Sequence, residues 1–353
     1  MKVVESRRAR FRWLALAAGL ALSVTGCAGQ ASDPLTSPTS AASEPGSGVT
    51  LSAAPSEGAA AVAATIGLTY VPNIQFAPFY AAETAGLLPE GVTLRHHGQA
   101  EGLFTALSAG EEQFVVAGGD EILQARADGV DVVAISAYYR QYPARVIVPE
   151  DSSIQTLADL KGHSIGLPGR FGENWFALLL ALDAAGLTEA DVDIQEIGYT
   201  QQVALQTGKV DSTIGFSNGD AVTFNVSGFP VRQIDPQVPL VSICLATTSE
   251  FAAAHPETVR AVVAAVTAGI ASVVADPEAA LDAAVAYIPD FESTRDTSRA
   301  VLLATNDLFV DTEGQVTAKL DPAAWQAMAE AMAAASLIPT ADGAAAGMTT
   351  DFA

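Results

Sequence analysis

Apolar and polar positions alternate in two long series along the chain, beginning near residue 64. Apolar, β-branched runs (TIGLTY, VTLRHH, QFVVAG, VDVVAISAYY and ARVIVPE) enclose segments with helical spacing at 77–88, 101–109 and 120–127. A second series sets HSIGLPG, DVDIQEIGY, VDSTIGF and PVRQID around helices predicted at 173–185, at 201–207 and from Asp220. This alternation predicts an α/β protein with mainly parallel sheets flanked by helices.

The C-terminal part is rich in alanine and predicts four helices, at 256–275, 277–287, 294–308 and 322–337. Three of them begin with proline, which suits the first helical turn because its missing N–H has no partner there. The predicted architecture is a two-lobed clamshell, with residues 62–147 and 245–353 in one lobe and 148–244 in the other. Ligands of open α/β sheets lie at the carboxyl ends of strands, so the crevice between the lobes is the expected binding site.

The N-terminus has the pattern of an export signal. Basic residues, among them Arg7 and Arg12, precede an apolar stretch from Trp13 to Val24 that is too short for a resident membrane helix. Residues 1–26 are therefore predicted to be a signal peptide. The small residues before Cys27 resemble a lipobox, which implies lipidation of this cysteine and a location on the outer face of the cytoplasmic membrane. The Ser, Pro, Gly and Ala-rich remainder of 27–61 is predicted to be a flexible tether.

Charge and cysteine content exclude several classes of partner and site. The chain carries a formal net charge of −23, and removal of the basic leader would make it more negative. Nucleic acid is therefore an unsuitable partner. Beyond Cys27 only Cys244 is present, in an apolar run that favours a buried thiol, and the four histidines have no metal-ligand spacing. No metal or cofactor is expected.

Polar, aromatic and glycine residues collect where the predicted strands end. The five stretches are VPNIQFAPFY after the first strand, AGGDE at 117–121, SAYYRQYP at 136–143, LPGRFGENW at 167–175 and GFSNGD at 215–220. Glycines allow close approach of a backbone to a ligand, aromatic rings provide flat faces, and amides and carboxylates match ring nitrogens and amino groups. The residues predicted to bind the ligand are Asn73, Gln75, Phe79, Tyr80, Gly119, Asp120, Glu121, Tyr139, Arg140, Phe171, Glu173, Trp175, Asn218 and Asp220.

Each of these residues also has a purely structural interpretation. Acidic residues such as Asp120, Glu173 and Asp220 stabilise the first turn of a helix through its dipole. Phe79 and Trp175 are of a size that often anchors a core. The coincidence of all five stretches at strand ends favours a pocket.

Several stretches resemble those of solute-binding lipoproteins of ABC importers, of the type that binds the thiamine pyrimidine precursor. They are YVPNIQFAPFYAAETAGL, VVAGGDEILQARADGV, LADLKGHSIGLPG and GYTQQVALQTGKVDSTIGFSNGDAV, within about residues 64 to 275. The resemblance implies a two-lobed periplasmic-binding fold of the second type that delivers a small heteroaromatic vitamin or precursor to a permease. Relatives that make the pyrimidine carry a cysteine-rich motif, and this chain departs from that pattern.

The sequence thus predicts a monomeric binding protein that works with an ABC permease and ATPase. A flat ligand would lie between Phe79, Tyr80 or Tyr139 on one lobe and Phe171 or Trp175 on the other. A thiamine pyrimidine precursor is favoured, and the resemblance implies riboflavin, sulfonate and nitrate as alternatives. The acidic residues disfavour the two anions, whereas Arg140 and Arg170 would suit them. A secreted enzyme is the rival class. It is disfavoured because no nucleophile elbow, Cys/His pair or metal cluster is expected.

If Cys27 is lipidated, its replacement should release the protein from the membrane. The Cys27→Ala protein is expected in the soluble fraction or the medium, because a flexible tether without its lipid has no membrane affinity. Fractionation with immunodetection measures this, and Ser37→Ala in the tether is the matched control. Unchanged pelleting of Cys27→Ala would remove the lipoprotein assignment.

Overall fold

The computed structural model describes residues 62–98 and 101–353. The predicted signal peptide, Cys27 and the tether lie outside the described residues. The described part contains two five-stranded sheets, each flanked by helices, which confirms the predicted α/β class.

The first sheet is built from βα units at the start of the described chain. Its strands have the order β2-β1-β3-β10-β4, and their side chains are mostly buried on both faces. The strands are β1 (Ala64–Leu68), β2 (Val92–His96), β3 (Phe114–Gly118), β4 (Val133–Ala137) and β10 (Ile243–Thr247). The helices between them are α1 (Ala77–Thr84), α2 (Thr105–Ala109) and α3 (Gly119–Ala127).

The second sheet repeats this plan with strand order β7-β6-β8-β5-β9. Its strands are β5 (Ala144–Pro149), β6 (Ser164–Leu167), β7 (Asp193–Glu196), β8 (Ser212–Phe216) and β9 (Val231–Ile234). Its helices are α4 (Gly172–Ala184), α5 (Gln201–Gln206) and α6 (Asp220–Val226). The chain passes from the first sheet to the second between Ala137 and Ala144, and returns between Ile234 and Ile243. The predicted lobe boundaries stay a prediction.

Each sheet is mainly parallel but contains one antiparallel strand. β10 pairs antiparallel with both β3 and β4, and β5 pairs antiparallel with both β8 and β9. The other four strands of each sheet run in one direction. β5 and β10 are the first strands that the chain forms after it has crossed from the other sheet, so no helical crossover sets their direction. The hydrophobic pattern of the sequence does not indicate that β5 and β10 run antiparallel to their neighbours.

Five helices follow β10 and cover the first sheet and the space between the sheets. They are α7 (Ser249–Ala254), α8 (Pro256–Ala275), α9 (Pro277–Ala284), α10 (Phe291–Phe309) and α11 (Pro322–Ala334). The bounds of α8 are those predicted from its proline and periodicity. α8 packs on α1, α10 reaches α6 of the second sheet, and α11 contacts both α3 and α4. The C-terminal helices therefore touch elements of both sheets.

Among the described helices, α8 alone is long and apolar enough to cross a membrane by length and composition. Half of its most apolar window is buried inside the fold. Val259, Val262, Val266 and Ile270 belong to the apolar cluster that also contains Phe79 and Tyr80 of α1. This helix is therefore a core element of the first lobe.

The contact between α1 and α8 depends on Gly269. A Cβ at this position would lie 2.2 Å from the carbonyl oxygen of Pro78, which belongs to the backbone and cannot turn away. Gly269→Ala is expected to lower the free energy of unfolding by about 1–3 kcal/mol through overpacking, although alanine is the better helix former.

Chemical denaturation measures this loss. The exposed Ala264→Ser on the same helix is the control, and its stability should stay within about 0.5 kcal/mol of wild type. A stabilised Gly269→Ala protein would show that the two helices are not in close contact.

Candidate functional site

A cleft of about 590 Å³ lies where strand ends of the two sheets meet. Residues that follow β1, β3 and β4 line one side, and residues that follow β6, β7 and β8 line the other. α10 contributes Thr294, Thr297, Ser298 and Val301. This is the crevice at the carboxyl ends of strands in which open α/β folds bind ligands.

The turn between β1 and α1 is held from behind by side chains. The Asn73 amide is used inside the turn, since Oδ1 accepts from the Gln75 N–H at 2.9 Å and Nδ2 donates to the Val71 carbonyl at 3.0 Å. The Tyr138 hydroxyl donates to the Gln75 carbonyl at 2.6 Å, and the Tyr80 hydroxyl lies 3.2 Å from the Asn73 carbonyl. These bonds fix the backbone of the turn, so Asn73 and Tyr80 shape the cleft wall from within the protein.

His96 continues this support beneath the turn. Its Nδ1 lies 3.0 Å from the Tyr70 carbonyl, and its Nε2 lies 3.0 Å from the Tyr80 hydroxyl. A carbonyl can only accept, so Nδ1 carries the proton. The Tyr80 hydroxyl has one proton, which it donates either to the Asn73 carbonyl or, when the ring is neutral, to Nε2. Burial lowers the pKa of His96, which favours this neutral form.

Gln75 differs from Asn73 because its side-chain amide extends across the cleft. No hydrogen bond among the described residues holds this amide. A Cβ on Gly219, on the opposite lobe, would lie 3.2 Å from Gln75 Nε2. The glycine therefore leaves room for the amide, which is free to bind a ligand.

Aromatic side chains stand on both sides of the cleft. The rings of Tyr70, after β1, and Tyr199, after β7, have centroids 5.6 Å apart and so meet across the cleft. Phe171 lines the cleft and is 59% exposed, and Tyr199 is 51% exposed. Large apolar rings exposed to this extent at the mouth of a cleft offer stacking surface to a flat ligand.

Three carboxyl groups converge at one end of the cleft. Asp120 and Glu121 lie on the first turn of α3, and Glu173 lies on the first turn of α4 of the other lobe. Asp120 Oδ2 accepts from the Tyr142 hydroxyl at 2.6 Å, and Glu121 Oε2 accepts from the Gly118 N–H at 2.9 Å. A Cβ on Gly118 would lie 3.1 Å from Glu173 Cγ, so this glycine lets the two lobes approach each other here.

Burial without a nearby cation raises the pKa of all three groups. Burial raises the pKa of Asp120 to about 7, although the Tyr142 hydroxyl opposes the shift. Burial and the charge of Asp120 raise the pKa of Glu121 to about 8. Burial, with the charges of Asp120 and Glu121, holds the pKa of Glu173 well above its usual range. Like charges at close range cannot all ionise, so the cluster retains protons near neutral pH.

The predicted site residues fall into two groups. Those that line the cleft are Asn73, Gln75, Glu121, Tyr139, Phe171, Glu173 and Asp220. Those that lie outside its lining are Phe79, Tyr80, Gly119, Asp120, Arg140, Trp175 and Asn218.

The second group is held in place by packing and internal bonds. Phe79 is fully buried against Tyr138, and Tyr80 is stacked on Tyr287. Gly119 packs against Val241 and Trp325. These residues form the core behind the cleft, so the stacking role predicted for Phe79 and Tyr80 has no support in this geometry.

The cleft lining does not include Trp175, Arg140 or Arg170. The Arg170 guanidinium lies 4.7 Å from the centre of the Trp175 ring and pairs with Glu189 and Glu196. The Arg140 guanidinium donates to the Lys319 carbonyl. Among the described residues that line the cleft, none is Lys, Arg or His. The anion-binding alternative that rested on Arg140 and Arg170 therefore loses its basis.

Asn218 joins the two lobes beside the cleft. It is buried, and its Nδ2 donates to Thr305 Oγ1 of α10 at 2.9 Å and lies 3.4 Å from the Tyr139 hydroxyl. Asp220, which follows it, closes the β8–α6 turn by accepting the Phe216 N–H at 2.7 Å. Both residues thus position the lining of the second lobe.

Sequence reasoning missed the contribution of α10 and several single residues. Thr294, Thr297, Ser298 and Val301 follow i, i+3, i+4 and i+7 spacing and place three small polar side chains and one valine on one helix face. This spacing is visible in the sequence, but the sequence does not show that the fold places this face of α10 at the cleft. Tyr70, Asn174 and Tyr199 were also missed, although Tyr70 and Asn174 lie in or beside stretches already identified at strand ends.

The chain contains one motif that contradicts an expectation. GHSIG at 162–166 has the spacing of a nucleophile elbow, which was predicted to be absent. Ser164 begins β6, however, and its hydroxyl donates to Asp211 Oδ2 at 2.8 Å. His163 lies beside the same carboxylate and not between it and the serine. The hydrogen bond between Ser164 and Asp211 is therefore a structural one at the start of a strand.

In the described part of the chain, no group of three or more His, Cys, Asp or Glu is arranged to hold a metal ion.

Comparisons with known proteins give one family and several relatives. A family model described as NMT1/THI5 like matches residues 73–280. The riboflavin-binding protein RibY of Chloroflexus aurantiacus is 34% identical over 233 residues, 64% of this chain and 66% of that protein. A putative thiamine biosynthesis protein of Haemophilus influenzae is 30% identical over 95 residues, 27% of this chain and 30% of that protein. The chain thus spans less than two thirds of the length of both curated relatives.

A solved structure shares the fold. The alkanesulfonate-binding protein SsuA of Xanthomonas axonopodis pv. citri, bound to MOPS, has a TM-score of 0.64 at 20% sequence identity. The match covers 83% of this chain and 100% of SsuA. At this identity the likeness establishes the two-lobed periplasmic-binding fold alone.

Asn73 and Gln75 should differ in their effect on stability. Asn73→Ala removes the side-chain cap of the turn and is expected to lower the free energy of unfolding by about 1 kcal/mol. Gln75→Ala removes an amide that no described residue holds, so the loss should stay within about 0.5 kcal/mol. Denaturant unfolding of both variants tests this. Equal losses would mean that the cap contributes nothing specific.

Proposed function

The chain belongs to the NMT1/THI5-like family, and from this premise we propose that it is the extracytoplasmic solute-binding protein of an ABC importer. The ligand would lie in the cleft between the two sheets, where strand ends supply amides, carboxyls and aromatic faces. Lobes joined by two chain crossings can close around a ligand and open again to release it. The permease and ATPase of the importer are the proposed partners, and the binding protein is proposed to act as a monomer.

A flat, nitrogenous heteroaromatic compound fits the cleft best. One observation carries this proposal: the exposed rings of Phe171 and Tyr199 stand beside the Gln75 amide and acidic groups, and no described basic side chain lines the cleft. Stacking favours a flat ring, and amides and carboxyls complement ring nitrogens, amino groups and carbonyls. An anion such as a sulfonate would meet acidic groups without a compensating cation, which is costly.

Within this class we favour riboflavin. The relative RibY is named a riboflavin-binding protein, and its alignment covers 64% of this chain. The cleft volume of about 590 Å³ lies within the range of roughly 300–1,000 Å³ that is usual for small-molecule pockets, which leaves room for a ligand of several rings. A single pyrimidine ring would leave much of this space to water.

The thiamine pyrimidine precursor remains the second candidate. Its support is the family itself and the shorter alignment with a putative thiamine biosynthesis protein. An aminopyrimidine would direct its amino group at the carboxyl cluster. The two candidates differ in size and in the polarity of the edge that meets Glu121 and Glu173.

A catalytic function has less support. The serine of GHSIG is held by Asp211, and the cleft lining contains no Ser, His and Asp arrangement that activates a nucleophile among the described residues. The curated relative RibY is named a riboflavin-binding protein. We propose a non-enzymatic role, with the lipid on Cys27 holding the protein at the outer face of the cytoplasmic membrane.

Calorimetric titration should separate these candidates. Riboflavin is expected to bind, the hydroxymethyl aminopyrimidine precursor of thiamine to bind more weakly, and methanesulfonate not to bind. Gln75→Ala should weaken riboflavin binding about 5- to 100-fold, the equivalent of about 1–3 kcal/mol for an unpaired polar group. Phe171→Ala should weaken it comparably through lost stacking area.

Val203→Ala is the matched control, because Val203 of α5 is exposed and is absent from the described cleft lining. Its affinity should equal that of wild type. Binding confined to the sulfonate would overturn the heteroaromatic assignment, and binding of the pyrimidine alone would select the second candidate.

A further inference from the structure

Glu173 is the one acidic side chain of the cleft whose bonding is incomplete. It is only 8% exposed, it lines the cleft, and its Oε1 has no hydrogen-bond partner among the described residues. Asp120 and Glu121 are different, because each accepts from a hydroxyl or a backbone N–H. A buried polar atom without a partner is costly, and in a binding cleft the natural partner is the ligand.

The surroundings of Glu173 decide in which form it meets that ligand. The titratable and charged groups that face it come from α3, from the segment after β4 and from β10; they are Asp120, Glu121, Tyr139, Tyr142 and Cys244. None of these groups is a cation, and Arg140, which acts on Cys244, donates to the Lys319 carbonyl. α11 adds Trp325 and Met328 to the apolar packing nearby. No ion pair of the described residues stabilises a negative charge on Glu173.

We propose that Glu173 binds the ligand as a neutral carboxylic acid and donates its O–H to a carbonyl oxygen or ring nitrogen of the heteroaromatic ring. This inference rests on the proposed function and narrows it. It selects rings that present an acceptor at this edge, as the carbonyl-bearing edge of a flavin does, over rings that present only an amino group. The raised pKa of all three carboxyl groups agrees with the neutral form.

The Tyr142 hydroxyl supports this arrangement. It donates to Asp120 Oδ2 at 2.6 Å and lies 3.0 Å from the backbone carbonyl of Glu173. The hydroxyl therefore holds the start of α4 against α3 and keeps Glu173 beside the cleft. Tyr142 acts on the ligand only through Glu173 and is a positioning residue.

Infrared difference spectroscopy with riboflavin tests the proton directly. The C=O stretch of a protonated carboxyl lies well above the carboxylate bands. Wild-type protein at pH 7 should show this band. Riboflavin should shift it to lower frequency, because donation of the carboxyl O–H to the ligand weakens the C=O bond.

The shifting band should be absent from Glu173→Gln. Asp183→Asn, an exposed carboxylate on the same helix, is the control and should retain it. A band that is unshifted by riboflavin, or unchanged in Glu173→Gln, would overturn the proposal.

Affinity measurements add an independent criterion. Glu173→Gln retains a donor and should weaken riboflavin binding a fewfold, whereas Glu173→Met retains the volume without a donor and should weaken it more than tenfold. Melting curves establish that both variants fold. Equal riboflavin affinities of Glu173→Gln and Glu173→Met would show that the donor is not used. A wild-type affinity for riboflavin that rises with pH between 6 and 9 would show the same.

Failure of the proposed function is distinguishable from failure of this inference. If riboflavin and the pyrimidine both fail to bind, the proposed function is wrong. The protonated band of the free protein, and its decrease in Glu173→Gln, then still report whether Glu173 is neutral, and a band of unchanged intensity in Glu173→Gln would refute the inference by itself.

Discussion

The two antiparallel strands, β5 and β10, are the constraint on which the cleft depends. Each is formed by chain that has just left the other sheet, and each is inserted beside the last strands of its new sheet. The two crossings therefore lie side by side and hold the carboxyl ends of both sets of parallel strands toward one another. Residues from six strand ends and from α10 can then reach one ligand, although they are spread over more than 200 positions of the sequence.

Much of the fold was predictable, because local signals determined its elements. The βα alternation predicted two mainly parallel sheets, and proline with helical periodicity predicted α8 to the residue. The antiparallel strands were not predictable, since the direction and neighbours of a buried strand are tertiary properties that its own apolar pattern does not carry. The lining from α10 was missed for the same reason. Strand ends were the right place to search, but the direction of each side chain was not readable.

The turn after β1 shows why residue type alone misassigns roles. Asn73 and Gln75 have the same functional group and lie two positions apart. The side-chain amide of the shorter asparagine forms hydrogen bonds with the backbone of its own turn. The longer glutamine side chain reaches past the turn toward Gly219. The aromatic residues divide likewise: Phe79, Tyr80 and Tyr138 form the rigid support, and Phe171 and Tyr199 form exposed surface. The high aromatic content of this junction therefore serves mostly to stiffen the wall of the cleft.

The position of β10 also determines the order in which the molecule can fold. The second sheet is formed by contiguous chain, from Ala144 to Ile234, whereas the first sheet lacks an interior strand until residues 243–247 are available. Contacts of short sequence separation form faster, because less loop entropy must be lost first. The second lobe is therefore able to assemble as a unit while the first still exposes an unpaired edge of β3. The part of the chain that is synthesised first is thus the last to complete its sheet.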